Sequence, residues 1–338
     1  MKAKSLPPTP VDLTLDEIQS RFGTDEAARA YLEEIRWPNG IVCPHCKNAD
    51  QGKFWTIKSS AVAEVRKGLR QCVECKKQFT VTVGTIFEDS HIPLRKWLVA
   101  WYLLCSSKKG ISSLQIQRML GLGSYRSALF MMHRIRFALK HPAFSEKLMG
   151  TIEVDETYVG GKSRGRGHIQ NKTAVVSLVQ RDGDVRSMVM ERVTGRNLKK
   201  FVRDNVVICS PVYTDEHQGY VGLAPKFVHD AVKHGRKEYV RGNVHTNTAE
   251  GFFSLLKRGV IGTFHQVSRK HLPLYVAEFD HRYNHRKTTD GERTVAALRL
   301  AEGKRLTLKP LKKGVEKKIQ NKPKILQFTK RNVSDPKP

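Results

Sequence analysis

Two cysteine pairs, Cys43-Pro-His-Cys46 and Cys72-Val-Glu-Cys75, stand 25 residues apart. Each Cys-x-x-Cys turn can offer two thiolates to one side. Two such turns supply the tetrahedral sulfur set that zinc prefers, with Cys43, Cys46, Cys72 and Cys75 as ligands. The intervening segment holds strand-like residues, and FWTIK and QFTVTVG read as short strands. A zinc ribbon over residues 37–85 follows. So small a unit buries little apolar surface, and bound zinc would supply much of its folding energy. A disulfide reading needs an oxidising compartment. MKAKSLPPTP has no apolar run after its lysines, so no secretory signal is expected, and the chain is placed in the cytoplasm with the nucleoid. Of the other cysteines, Cys105 lies on an apolar helix face and Cys209 ends an apolar run. Both are expected to be small core residues.

Charge narrows the partners. Lys and Arg number 60 against 32 Asp and Glu, a net of +28 with a pI of about 10.0. Such a field attracts polyanions, nucleic acid above all. No uninterrupted apolar run approaches the length of a membrane span, so no membrane partner is expected.

The rest of the chain divides by pattern. Residues 1–36 are helical, with Thr24 opening TDEAARAYLEEIRW. Residues 86–145 return to helices: PLRKWLVAWYLLCSS, SSLQIQRMLGL and SYRSALFMMHRIRFALK. The last two, joined by a glycine-containing turn, match a helix-turn-helix as well as an ordinary bundle, and Arg134 on the basic third helix is a candidate DNA contact. From residue 150 to 300 the order strand-strand-strand-helix-strand, then helices, predicts an α/β domain with a mixed sheet flanked by helices. Between its first two strands, GGKSRGRGHIQNK is a Gly-rich basic loop, in which Lys162, Arg164 and Arg166 are candidates for phosphate contact. Residues 303–338 carry twelve Lys or Arg against two acids and read as a disordered basic tail.

Three acids in the α/β segment suggest chemistry. Asp155 lies in the strand IEVDET, beside Glu153 on the same face. Asp215 ends the strand PVYTD, where α/β sheets gather ligands. Glu250 begins the helix HTNTAEGFFSLLK, 35 residues further on. An all-carboxylate set suits Mg²⁺ or Mn²⁺, and two such ions can activate a water or hydroxyl at a phosphodiester. Locally, though, Asn247 and Glu250 also have the spacing of an N-cap and its capping box. Glu153 or Glu156 could replace Asp155 as ligand.

The ordered blocks RWPNGIVCPHC, QFTVTVGTIFEDSHIPLRKW, IEVDETYVGGK, VYTDEHQGY, HTNTAEGFFSLLKRGVIGTFHQVS and EFDHRYNHR resemble the bacterial insertion-sequence transposases with an N-terminal zinc ribbon, prokaryotic relatives of Merlin DNA transposons. The resemblance implies a ribonuclease-H-like catalytic core, preceded by the zinc ribbon and the helix-turn-helix-like segment. It implies a DDE triad of Asp155, Asp215 and Glu250, with Asn247 as the alternative third residue. Lys257 matches a residue expected to contact transposon-end DNA. The implied activity is cleavage at terminal inverted repeats and joining of 3′-hydroxyls to target DNA, by a homodimer or higher assembly on double-stranded DNA. The rival reading is a catalytically inactive DNA-binding regulator derived from such an enzyme. Lys47 and Lys76 stand where glycine often follows the second cysteine of a knuckle.

Overall fold

The computed structural model describes residues 13, 15–59, 64–140, 146–161 and 172–307. They fall into a first unit, Met1–Ser106 with Ser113–Ala138 and Thr289–Pro338, and a second, Ser107–Ser112 with Leu139–Thr288. The basic tail beyond residue 307 and the loop carrying Lys162, Arg164 and Arg166 lie outside the described residues.

The first unit begins with helices α1 (Leu15–Arg21) and α2 (Asp25–Arg36). Thr24 caps α2 as its sequence predicts, its hydroxyl accepting the Ala27 N–H at 3.1 Å. A three-stranded antiparallel sheet follows, β1 (Phe54–Thr56), β2 (Arg70–Cys72) and β3 (Gln78–Phe79). Strand β2 is absent from the sequence reading, and QFTVTVG contributes only its first two residues as strand. Helix α3 (Leu94–Ser106) buries Trp97, Leu98, Trp101, Leu104 and Cys105, so Cys105 is a core residue. Helices α4 (Ser113–Met119) and α5 (Tyr125–Ala138) pack together. A last helix of this unit, Asp290–Arg299, packs on α2 and α3, so the α/β segment expected to run to residue 300 gives up its end to the first unit.

Arg134 is not presented to a partner. It is 5% exposed, its Nη2 donates to the Glu88 carbonyl at 2.6 Å, and its guanidinium lies over the Trp97 and Phe130 rings. Burial pulls its pKa down to about 10. His133 and Arg136 are buried beside it on α5. The exposed face of α5 is its start, at Ser124, Tyr125, Arg126 and Ser127. The assignment of Arg134 as a DNA contact is therefore corrected: a long side chain at the apolar end of α5 is drawn into the core by its stem and its aromatic neighbours.

The second unit is a three-layer α/β structure. Its sheet runs β6–β5–β4–β7–β8, from β4 (Ile152–Val159), β5 (Thr173–Gln180), β6 (Val185–Met190), β7 (Pro211–Thr214) and β8 (Val228–Ala231). The first three strands are antiparallel neighbours, and β7 joins β4, and β8 joins β7, in parallel. The sheet is thus mixed and flanked by helices, as expected; β8 was not foreseen. Alternation along β4 serves two cores. Ile152 and Val154, with Val176, Leu178 and Val212, pack on α6 (Gly195–Asn205) through Leu198, Phe201 and Val202. Val159, Val175, Val179 and Val185 pack on α7 (Asn247–Gly262) and α8 (Leu272–Asn284) through Phe252, Leu256 and Phe279. Cys209 is not in either core. It is exposed, at φ 67° in the turn before β7, which corrects its placement as a core residue. Among the described residues no helix is long and apolar enough to cross a membrane.

Replacing Arg134 by Met, which keeps the stem and removes the guanidinium, is expected to cost about 2 kcal/mol from the lost buried hydrogen bond. Thermal melting should register it, while the salt dependence of DNA binding stays that of the parent.

Candidate active site and zinc centre

The four cysteine sulfurs converge. Cys43 Sγ lies 3.7 Å from Cys75 Sγ, Cys46 Sγ lies 3.7 Å from Cys72 Sγ, and all four sit within 4.8 Å of one another. Zinc–sulfur bonds of about 2.3 Å in a tetrahedron demand sulfur spacings of about 3.8 Å. The cluster fits structural zinc, and the paired sulfurs are too far apart for disulfides. Each knuckle closes through backbone. The Lys47 N–H donates to the Cys43 carbonyl at 3.0 Å, the Cys43 N–H to the Asn48 carbonyl at 2.9 Å, and the Cys72 N–H to the Lys77 carbonyl at 3.0 Å. Lys47 and Lys76 take φ of 66° and 56°, the left-handed region that explains why glycine is common at these positions.

The acids belong to the second unit. Asp155 lies on β4, on the face turned to α7. The parallel register pairs Ile152 with Val212 and Glu153 with Tyr213, so two residues on, Asp155 comes alongside Asp215 at the end of β7. Glu250 sits in the first turn of α7. A cavity of about 840 Å³ is lined by Asp155, Glu156 and Glu250 at one end and by Lys257, Arg258 and Lys109 further along. Asn247 is exposed and is not part of that lining.

Burial raises the Asp155 carboxyl, and the like charges of Asp215, Glu156 and Glu250 raise it further. The Glu156 N–H, donating at 2.7 Å, opposes them, and the result is about 7. These carboxylates therefore act on one another, though among the described residues only the sulfurs are gathered to ligand spacing. A hard oxygen donor set with an unfavourable negative charge fits a divalent cation. Glu156, which also lines the cavity, has partners of its own. Its carboxylate accepts from Tyr220 Oη at 2.6 Å and lies 3.8 Å from His217 Nε2. Separately, the backbone N–H of His217 donates to Asp215 Oδ1 at 3.1 Å. Sequence reasoning missed this support, although Tyr220 and His217 sit inside the block VYTDEHQGY.

The cap of α7 is not the expected one. Thr246 is the N-cap without a side-chain hydrogen bond, Asn247 is already helical, and no capping box with Glu250 forms. The cap comes from Glu153, which is fully buried. Its carboxylate accepts the Thr248 N–H at 2.7 Å, the Thr248 hydroxyl at 2.9 Å and the Ala249 N–H at 3.0 Å. Arg181 Nε donates to it at 2.7 Å, and His245 Nδ1 lies 3.2 Å away. A negative group at a helix N-terminus meets orphan N–H donors and the positive end of the dipole. The Glu153 carboxylate is thus engaged as the cap of α7, while Glu250 lines the cavity.

A mixed α/β sheet with an acidic cleft, together with a four-thiolate cluster, defines a metal-dependent class of protein. Comparison makes this specific. Residues 147–284 match the ISXO2-like transposase domain, and residues 23–78 match the transposase zinc-ribbon domain. A protein of Halobacterium salinarum, described as an uncharacterized protein in transposable element ISH50, is 29% identical over 278 residues, which cover 76% of this chain and 90% of that one. The chain belongs to the insertion-sequence transposases that carry an N-terminal zinc ribbon and a DDE domain.

Three outcomes are expected. Elemental analysis should find one zinc per chain, and Cys46→Ser should abolish it together with the ribbon's protection from proteolysis. Glu153→Ala strands Arg181 and two helix N–H groups, and is expected to cost about 3 kcal/mol in chemical denaturation. Because the folded Asp155 carboxyl is raised from its unfolded value near 4, its ionisation opposes folding. Its contribution to metal-free stability is lost as pH rises from about 4 to about 7. Asp155→Asn should therefore raise the melting temperature of the zinc-loaded protein without added Mg²⁺ at pH 8 by several degrees, and should lose any further rise on adding Mg²⁺.

Proposed function

We propose that this transposase cleaves DNA at its element's terminal inverted repeats and joins the freed 3′-hydroxyls to target DNA, with Asp155, Asp215 and Glu250 as its catalytic carboxylates. The observation that carries the reading is a half-buried strand aspartate, Asp155, that feels both an aspartate at the end of the parallel neighbouring strand and a glutamate on the helix lining the same cavity. Three antiparallel strands followed by two parallel ones, in the order β6–β5–β4–β7–β8, support a ribonuclease-H-like core.

Asp155, Asp215 and Glu250 would hold Mg²⁺ or Mn²⁺. When bound, the ions supply Lewis-acid activation of the attacking oxygen and charge stabilisation at the leaving one. The chain's own residues do the rest. Glu153 fixes the start of α7 so that Glu250 faces Asp155 across the cleft. Tyr220 donates to the Glu156 carboxylate and His217 lies beside it, which fixes that side chain next to Asp155. Lys257, seven residues after Glu250 on nearly the same helix face, draws the phosphodiester in. Attack is in line: a water oxygen bonds to phosphorus as the bond to the 3′-oxygen breaks, and that oxygen leaves as a hydroxyl. In the second step this 3′-hydroxyl attacks a target phosphate, loses its proton, and displaces a target 3′-oxygen. No side chain becomes covalently attached. Glu250 is favoured over Asn247 because it lines the cleft and carries the charge a hard cation needs. The ribbon and the exposed start of α5 would recognise the repeats, and two ends require a dimer or larger assembly.

The test is Mg²⁺-dependent nicking of a duplex carrying the element's end, followed by strand transfer into a plasmid. Wild type and Asn247→Ala should cut. Asp155→Asn and Glu250→Gln should fall by at least about a thousandfold, as expected for loss of a group acting mainly in the transition state. Binding without cutting by wild type would make the chain a DNA-binding regulator.

A further inference from the structure

Between α3 and α4 runs Ser107–Ser112, a short segment that packs within the second unit although the helices on either side belong to the first. Three close approaches fix it there. Gly110 has φ 88°, and a Cβ on it would meet Phe264 Cζ at 2.5 Å and Glu278 Oε1 at 3.0 Å. Gly259, inside α7, would with a Cβ meet Phe279 Cζ at 2.2 Å and the Lys109 carbonyl oxygen at 2.9 Å. The segment can therefore lie directly on the backbone of α7 only because both positions are glycine. What this seating delivers is Lys109, an exposed cation that lines the same cavity as Asp155 and Glu250.

The cavity is strongly polarised. Its α7 wall presents Glu250, Ser254, Lys257, Arg258 and Ile261, at steps of four, seven, eight and eleven residues from the glutamate. With a rise of about 1.5 Å per residue, the wall is about 16 Å long, the axial length of roughly five nucleotides of duplex. Acid gathers at the strand end and base further along, where Lys109, its carbonyl resting on α7 at Gly259, adds a cation from a separate segment. A polyanion threaded past the acids would meet cations from two segments.

We infer that Lys109 is a phosphate-binding residue of the catalytic cleft, holding the DNA backbone a few nucleotides from the bond that reacts, together with Lys257 and Arg258. The inference rests on the DNA-cleaving reading of this cleft and adds a contact from outside the α/β domain's own sequence. Nothing in the residue's sequence setting, Ser-Ser-Lys-Lys-Gly, marks it: it reads as a loop between two helices.

The experiment uses the full-length, zinc-loaded protein and a duplex of the element's end. Binding is measured without Mg²⁺ over a series of NaCl concentrations, and single-turnover cleavage is measured separately with Mg²⁺. Lys109→Gln should flatten the slope of log affinity against log salt by about 0.9, the release of one phosphate's counterions. It should weaken binding several-fold at physiological salt, and Lys109→Arg should restore both. Lys200→Gln, an exposed lysine of α6 paired with Asp204, is the control and should leave the slope as it is. A slope for Lys109→Gln equal to wild type, while Lys257→Gln flattens it, overturns the inference. A wild type that binds with the expected slope but never cuts overturns the catalytic reading alone, since the slope is read without metal.

Discussion

One buried carboxylate organises the second unit. Glu153 lies two residues before Asp155 on the same face of β4 and accepts the N–H groups of Thr248 and Ala249, immediately before Glu250. A single side chain therefore spans from the strand that carries one acid to the helix that carries another. Burying a charge costs several kcal/mol unless it is fully satisfied. Here the helix end, Arg181 and the Thr248 hydroxyl satisfy it. Since two of its partners are backbone N–H groups, the contact fixes the start of α7 rather than a flexible side chain. The position of Glu250 is thus tied to backbone contacts made within the folded chain itself.

Around this anchor the charge distribution is a compromise. The chain carries a net +28, yet Asp155 is raised to about 7, first by burial and then by the like charges of Asp215, Glu156 and Glu250. Burial and crowding of this carboxylate weaken the fold in the absence of a counter-ion. Functional sites commonly hold strain of this kind. The surrounding base supplies the opposite pull on a polyanion, and the cavity's change from acid to base along α7 orders that pull in space.

What was readable in the sequence follows from the range of the interactions. The four thiolates were legible because Cys-x-x-Cys spacing is local and chemically specific, and the sulfurs do converge. The alternating strands and the α7 stripe of Phe252, Phe253 and Leu256 were legible from period alone. The cap of α7 was not, because Glu153 is about a hundred residues away in sequence and a local Asn-x-x-Glu pattern offered a plausible substitute. Arg134 failed for a related reason. Its type suggested a surface, while Trp97, Phe130 and the Glu88 carbonyl, which enclose it, come partly from other segments. Cys209 ended an apolar run but turned out of it at a left-handed residue. Strand β8, four residues with alternating exposure at the sheet's edge, gave too short a signal.

The two knuckle lysines have a consequence of their own. Zinc with four thiolates carries a formal charge of two minus, a poor thing to present to a phosphate backbone. Glycine at residues 47 and 76 would relax the turns but leave that charge bare. Lysine accepts a left-handed backbone, at a cost of about 1 kcal/mol each, and sets one cation directly after each metal-binding turn. Both side chains are exposed. With zinc bound, the two lysines would set two positive charges beside the two negative ones of the cluster.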